Sequence, residues 1–168
     1  MTPDPDTYVA MLEDLDSEVG RVLDSLRYHE LEQNTLVIFV SDNGGFAPAA
    51  HMGPLRGAKS TTLEGGIRVP LIMRWPGKLP AGQESSQVCA TFDLTRSILN
   101  LTKAKASNRQ LEGIDIVKHL VERKPNISRT LFWRGKRGER TWSAVRDGIL
   151  KFVRKTESRT EEWLFTLS

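Results

Sequence analysis

A short polar segment after an apolar run contains the residue types that suit a hard-cation site. Residues 36–40 are apolar, and Ser41, Asp42, Asn43 and two glycines follow them. Carboxylate and amide oxygens suit calcium or magnesium better than zinc. Asp42 and Asn43 are therefore candidate metal ligands. The same two residues would also fit an Asx turn, and calcium takes about 6–8 oxygens, more than two side chains supply.

A second polar segment, residues 57–70, places a lysine between small residues and a run of hydroxyl-bearing ones. An ammonium held by such a loop donates a charge-assisted hydrogen bond to a sulfate or phosphate oxygen. Lys59 is therefore a candidate anion-binding residue, with an exposed lysine on a mobile loop as the alternative. His51 and Arg56 precede Lys59 in the same loop and are further candidates for the same anion.

The elements that must position these residues follow from the hydrophobic pattern. Residues 6–31 have apolar side chains at steps of three and four, which predicts an amphipathic helix. Residues 35–41 show no alternation, which predicts a strand covered on both faces. A second strand is predicted at 69–75 and a second long helix at 91–101. A helix followed by a buried strand is typical of an α/β fold.

The loop between the two strands, residues 42–66, contains six glycines and two prolines and shows no periodicity. A loop of that length inside a compact domain is usually functional or disordered. The spacing of Thr61 and Glu64 matches a capping box and predicts one short helical turn. We expect Gly65 and Gly66 to end that turn at once.

A polar stretch at residues 102–110 marks a change in composition, and we place a domain boundary there. It separates a first domain, 1–105, from a small C-terminal subdomain, 106–168. The subdomain is predicted to hold a short helix ending near residue 122, with strands at 129–134, 141–146 and 149–154. Asp147 and Gly148 are predicted to form the two-residue hairpin loop between the last two strands. A further apolar segment begins at residue 162.

Length and composition restrict the class of protein. The chain has 168 residues, is 39% hydrophobic and 27% charged, and has a net charge of +3, values that are ordinary for a soluble globular protein. No dense basic run or nucleic-acid-binding motif is present, so we expect no nucleic-acid partner. Cys89 is the only cysteine and has no internal disulfide partner. No apolar run approaches the ~20 residues of a membrane span, and the polar, acidic residues 1–6 do not resemble a signal peptide.

Taken together, these segments resemble the sulfatase family of the alkaline-phosphatase-like superfamily. The similar segments occur in the family's order and are residues 8–26, 34–44, 55–59, 64–70, 75–78, 92–94 and 144–148 with Lys151. The resemblance implies an α/β fold that is part of an alkaline-phosphatase-like sandwich, with a small C-terminal antiparallel α+β subdomain. It also implies that the chain corresponds to the C-terminal portion of a sulfatase.

The resemblance implies roles for the candidate residues. In sulfatases the Asp-Asn pair at this place binds a divalent cation, so Asp42 and Asn43 are expected to bind Ca²⁺, with Mg²⁺ as the alternative. The lysine of this motif contacts the substrate, so Lys59 is expected to be a catalytic residue that binds the sulfate ester. The family nucleophile is a formylglycine made within a Cys/Ser-x-Pro/Ala-x-Arg motif. Neither Cys89 nor any serine fits that motif, so we expect this chain alone to be catalytically incomplete.

Two other functions stay open at this point. One is a phosphoester hydrolase of the same superfamily, and the other is a non-catalytic module that binds sulfated glycans or a protein partner. The family also implies an extracytoplasmic location, whether periplasmic, secreted or lysosomal. We further expect self-association through uncovered sheet edges, because strands without neighbours tend to pair with another chain.

Overall fold

The computed structural model describes residues 4–104 and 111–167, which form two compact units. Of the described residues, 4–73 and 128–167 form one unit, and 74–104 with 111–127 form the other. The domain boundary predicted between residues 105 and 106 lies outside the described residues and stays a prediction. Residues 1–3 of the polar N-terminal segment also lie outside them.

The first unit begins with a long helix, α1, Pro5–Tyr28, which confirms the predicted amphipathic helix. Asp4 caps its start by accepting a hydrogen bond from the Thr7 backbone N–H at 2.9 Å, and proline suits the first helical position because its missing N–H has no partner there anyway. No residue of α1 is buried. Its apolar face is open to solvent, with Val9 and Val22 more than half exposed.

Two short strands follow and pair with each other, β1, Val37–Val40, and β2, Leu71–Arg74. Both lie within the predicted segments. The expectation that β1 is covered on both faces is wrong in this structure, because Phe39 is 40% and Val40 is 37% exposed. The physical reason is that the sheet has only these two strands in the described part of the chain, too few to enclose a strand.

The loop between β1 and β2 contains one helical turn, α2, Glu64–Ile67. The predicted capping box is wrong, because Leu63 occupies the N-cap position and makes no side-chain cap bond. The Thr61 hydroxyl donates to the Ala58 carbonyl at 2.9 Å instead. The glycine pair does not end the turn either, since Gly65 and Gly66 are buried inside it.

The C-terminal part of the first unit is a four-stranded antiparallel sheet in which each strand pairs with the next along the chain. Its strands are β3, Thr130–Arg137, β4, Arg140–Asp147, β5, Leu150–Thr156, and β6, Thr160–Thr166. The last of them contains the apolar segment predicted to begin at residue 162.

The hairpin between β4 and β5 lies one residue later than predicted. Asp147 pairs with Leu150, so Gly148 and Ile149 form the loop. Gly148 has a φ of +56°, the left-handed value that a type II′ turn requires at its first central position. Glycine adopts that backbone without a steric cost, which explains why the register places it there.

One face of the sheet forms the hydrophobic core of the first unit. Its buried members are Leu63, Trp142, Ala144 and Val153, and Trp133, Trp163 and Phe165 pack against them. Trp142 and Trp163 stack with their ring centroids 6.1 Å apart. Since Leu63 directly precedes α2, this core holds the loop that contains the candidate site.

In the described part of the second unit there are two helices, α3, Thr91–Thr102, and α4, Ile116–Val121, close to the predicted positions. Asp93 is completely buried and accepts backbone hydrogen bonds from Ala90 at 2.7 Å and Ile114 at 2.8 Å. These bonds cap α3 and attach the segment that leads into α4. Among the described residues, no helix combines the length and the apolar character that crossing a membrane requires.

Candidate functional site

Backbone hydrogen bonds join the two polar segments singled out in the sequence. The Lys59 N–H donates to the Gly45 carbonyl at 3.0 Å, and the Gly44 N–H donates to the Gly66 carbonyl at 2.9 Å. The segment containing Asp42 and Asn43 therefore lies directly beside the loop that contains Lys59. The structure thus brings the main chain of Lys59 next to the residues that directly follow Asp42 and Asn43.

Glycines make this close approach possible. A Cβ atom added at Gly44 would collide with the Gly65 carbonyl, and one added at Gly65 would collide with the Gly57 carbonyl. Gly57 also has a φ of +87°, where other residues are strained. The absence of a Cβ at Gly44 thus allows main-chain contact between the two segments, and its absence at Gly65 allows the second segment to fold closely onto Gly57.

Asp42 and Asn43 form the exposed tip of the first segment. The Asp42 side chain is exposed, and that of Asn43 is half-buried. The Asn43 amide nitrogen donates to the Gly44 carbonyl at 3.0 Å, and the Ser41 hydroxyl donates to the Asn43 carbonyl at 2.8 Å. The nitrogen of the Asn43 amide is therefore engaged locally, and its oxygen is the atom suited to a cation.

The donor types at this tip fit a hard cation. A carboxylate and an amide oxygen match calcium or magnesium, which bind oxygen ligands. In the described residues no group of three or more His, Cys, Asp or Glu side chains is placed to hold a metal ion. The side-chain oxygens of the adjacent residues Asp42 and Asn43 are the cation ligands that this candidate site provides.

The predicted anion-binding residues lie in the same loop but have different surroundings. Lys59 is exposed, and its backbone is held by the bond to Gly45. The guanidinium of Arg56 lies 5.2 Å from the centroid of the Trp163 ring, a cation–π contact with β6. His51 is exposed and accepts a hydrogen bond from the Gly53 N–H at 3.2 Å through Nδ1. Of the three, the structure brings the main chain of Lys59 next to the metal-binding segment.

Sequence reasoning missed an ion pair beneath this loop. Nζ of Lys151, which is 1% exposed, lies 2.6 Å from Oε1 of Glu64. Burial lowers the pKa of Lys151, while the hydrogen bond and charge of Glu64 act in the opposite direction. The alternation of β5 held a signal, since Lys151 lies two residues before the core residue Val153 and therefore points to the same face.

Comparison with known proteins identifies the family. The sulfatase family model matches residues 2–104, and the chain belongs to the sulfatase family. The fold agrees with this assignment, and the expected placement in the alkaline-phosphatase-like class, with a C-terminal antiparallel subdomain, is confirmed.

Curated relatives match this chain over most of its length. It is 34% identical to pig (Sus scrofa) N-acetylgalactosamine-6-sulfatase, over 76% of this chain and 26% of the relative. It is 34% identical to rat (Rattus norvegicus) arylsulfatase G, over 74% of this chain and 26% of that protein. A sulfatase from Formosa agariphila is 38% identical, over 64% of this chain and 21% of the relative. This chain thus spans about a quarter of the length of these relatives.

A solved structure resembles the chain almost throughout. It is described as Ps i-CgsB in complex with k-i-k-neocarrahexaose, and the comparison has a TM-score of 0.85 at 29% sequence identity. The match covers 98% of this chain and 37% of the solved one. Both compact units therefore have counterparts in a single known protein.

Proposed function

We propose that this chain supplies calcium and sulfate contacts to the active site of a sulfuric ester hydrolase. The observation that supports the proposal is the hydrogen bond from the Lys59 N–H to the Gly45 carbonyl. It places the loop of the proposed sulfate-binding lysine against the segment of the proposed metal ligands. Membership in the sulfatase family is consistent with these roles.

The proposed roles follow from the chemistry of the side chains. Asp42 and Asn43 would hold Ca²⁺, or Mg²⁺ as the alternative, through their oxygens. When bound, the cation would polarise a sulfate oxygen and stabilise negative charge. Lys59 would donate to another oxygen of the same ester, and charge-assisted bonds of this kind are worth roughly 1.5–3 kcal/mol. His51 and Arg56 are proposed as further contacts to the ester.

We also propose that the 168-residue chain alone does not turn over substrate. Formylglycine requires a Cys/Ser-x-Pro/Ala-x-Arg segment, and this sequence has none. Loss of a nucleophile costs on the order of 10⁶ in turnover in hydrolases. The remaining contacts bind substrate without supplying the group that attacks sulfur. An extracytoplasmic location and self-association through uncovered strands belong to the same proposal.

Titration with inorganic sulfate in the presence of calcium tests the proposed site. We expect the backbone amide signals of Lys59 and Gly45 to shift in NMR spectra, and the shifts to disappear in Lys59→Ala. Lys136→Ala is the matched control, because Lys136 is an exposed lysine in β3 of the same unit. Equal shifts in wild type and Lys59→Ala would contradict the proposed sulfate contact.

Two further assays address turnover and the alternative substrate. In a buffer that contains calcium, the wild-type chain should hydrolyse an aryl sulfate no faster than the Lys59→Ala variant does. A higher rate in the wild type would refute the proposed inactivity. A titration with phosphate in place of sulfate addresses the phosphoester alternative. A lower Kd for phosphate than for sulfate would favour that alternative.

A further inference from the structure

The Glu64–Lys151 pair connects two parts of the first unit that are 87 residues apart in sequence. Glu64 is the first residue of α2, and Lys151 lies on the core-facing side of β5. The pair is enclosed, since the side chain of Lys151 is 1% and that of Glu64 is 12% exposed. Nζ of Lys151 also lies 5.3 Å from the centroid of the Trp133 ring.

The surroundings of this pair favour one arrangement of the two side chains. Nη1 of Arg146 lies 3.9 Å from Oε2 of Glu64, so Glu64 has a cation near each oxygen. Burial of the ammonium lowers the pKa of Lys151, which is the cost of keeping its charge away from water. Because each charge would be expensive to bury alone, the carboxylate and the ammonium constrain each other.

Short backbone bonds connect this pair to the candidate site. The residue after Glu64, Gly65, donates its N–H to the Arg56 carbonyl at 2.8 Å. The next residue, Gly66, accepts from the Gly44 N–H at 2.9 Å. The turn that begins with Glu64 therefore touches the loop before Lys59 on one side and the segment after Asn43 on the other.

We propose that Glu64 and Lys151 are positioning residues, which hold α2 against the four-stranded sheet and so set the geometry between the Asp42–Asn43 tip and the Lys59 loop. Neither residue is placed to contact substrate in this proposal, and both act through α2. The effect of this pair on sulfate binding rests on the proposed function, whereas its effect on the geometry of the loop does not.

Amide hydrogen exchange in the whole 168-residue chain tests this role. We compare wild type with Glu64→Gln and follow three amides. Those of Gly44 and Gly65 make the bonds that connect α2 to its neighbours, and that of Lys59 makes the bond to Gly45 between the two loops. Positioning predicts that these three amides exchange roughly tenfold faster or more in Glu64→Gln, because the loop opens locally. Amides in the centre of β4, such as that of Ala144, are expected to keep their wild-type rates.

Glu157→Gln is the matched control, since Glu157 also pairs with a cation of the four-stranded sheet. Its Oε1 lies 2.9 Å from Nη2 of Arg140, and the pair is exposed. We expect Glu157→Gln to leave the three loop amides unchanged. A uniform acceleration of loop and β4 amides in Glu64→Gln would overturn the proposal, since the pair would then add only global stability. Unchanged loop amides would overturn it as well.

A double variant keeps the test decisive if Glu64→Gln leaves a buried charge that prevents folding. Glu64→Gln/Lys151→Met removes both charges, a change that proteins often tolerate. The three loop amides should still exchange faster than in wild type, and wild-type rates would contradict the proposal.

The sulfate titration separates this proposal from the proposed function. If wild type binds sulfate through Lys59, Glu64→Gln should raise the Kd for inorganic sulfate roughly tenfold, which corresponds to 1.4 kcal/mol. If wild type shows no response to sulfate, the proposed function fails, and the exchange rates still decide whether the pair positions the loop.

Discussion

Single residues at the candidate site act mainly through the backbone they allow. Gly44 lets two loops contact each other main chain to main chain, because a Cβ there would collide with the Gly65 carbonyl, and Gly65 lets its own loop pack closely onto Gly57. Asp42 and Asn43 are placed at the tip of one of these loops, and Lys59 is placed in the other. The geometry of the site therefore depends on glycines, which have no side chain to bind a ligand.

Calcium affinity is the property that tests the pair of proposed ligands. Two side-chain donors are far fewer than the about 6–8 oxygens that calcium prefers, so we expect weak binding, with a Kd of roughly 0.1–1 mM. Asp42→Ala should abolish binding in isothermal titration calorimetry, because it removes the charged ligand. Asp14→Ala, an exposed aspartate in α1, is the control and should bind as wild type does. Submicromolar affinity, or affinity retained in Asp42→Ala, would show that the site is elsewhere.

Elements of the two units are stabilised in different ways. The four-stranded sheet has a buried aromatic core, whereas α1 and β1 leave much of their apolar surface exposed. In the second unit, α3 and the segment before α4 are attached through Asp93 and Ser97. The hydroxyl of Ser97 accepts a hydrogen bond from the Ile116 N–H at 2.8 Å. The side chains of Asp93 and Ser97 are completely buried.

Asp93→Ala is expected to destabilise the second unit by about 2–4 kcal/mol, because it leaves two partly buried backbone N–H groups without their acceptor. Chemical denaturation followed by circular dichroism measures this effect. Glu112→Ala is the control, since Glu112 is exposed and lies near the same segment. We expect that control to change the free energy of unfolding by less than about 0.5 kcal/mol. Equal stability of the two variants would show that Asp93 is not the anchor of α3.

Sequence patterns predicted most elements but missed details that depend on long-range contacts. The period of three and four in α1 and the apolar runs of β1 and β2 are local signals, and the elements formed where the signals lay. The start of α2 was misplaced because the side chain of Glu64 pairs with Lys151, 87 residues away, rather than capping its own turn. The hairpin loop was misplaced by one residue because its register depends on pairing along the whole of β4 and β5.

The molecule as a whole exposes surface that a stable fold usually covers. Val22 of α1 is 59% exposed and Ile72 of β2 is 60% exposed. Apolar helix faces and uncovered strands favour contact with another chain. This surface supports the proposal that the chain self-associates.

Light scattering at increasing protein concentration tests self-association. We expect an average mass above the 18.9 kDa of one chain. Ile72→Lys should lower that mass, because it places a charge on the exposed strand, whereas Thr166→Lys in β6 is the control and should not. A mass of one chain at all concentrations would contradict this prediction.

The sequence by itself determined the family, the succession of helices and strands, and the residue types available for a cation and an anion. Those properties follow from local patterns and from motif order, which can be read without coordinates. The tertiary structure decided which main chains meet, that Gly44 allows this contact, and that a buried lysine paired with a largely enclosed glutamate lies beneath the site. These features depend on contacts between residues far apart in the chain, and hydrophobic periodicity contains no information about such partners.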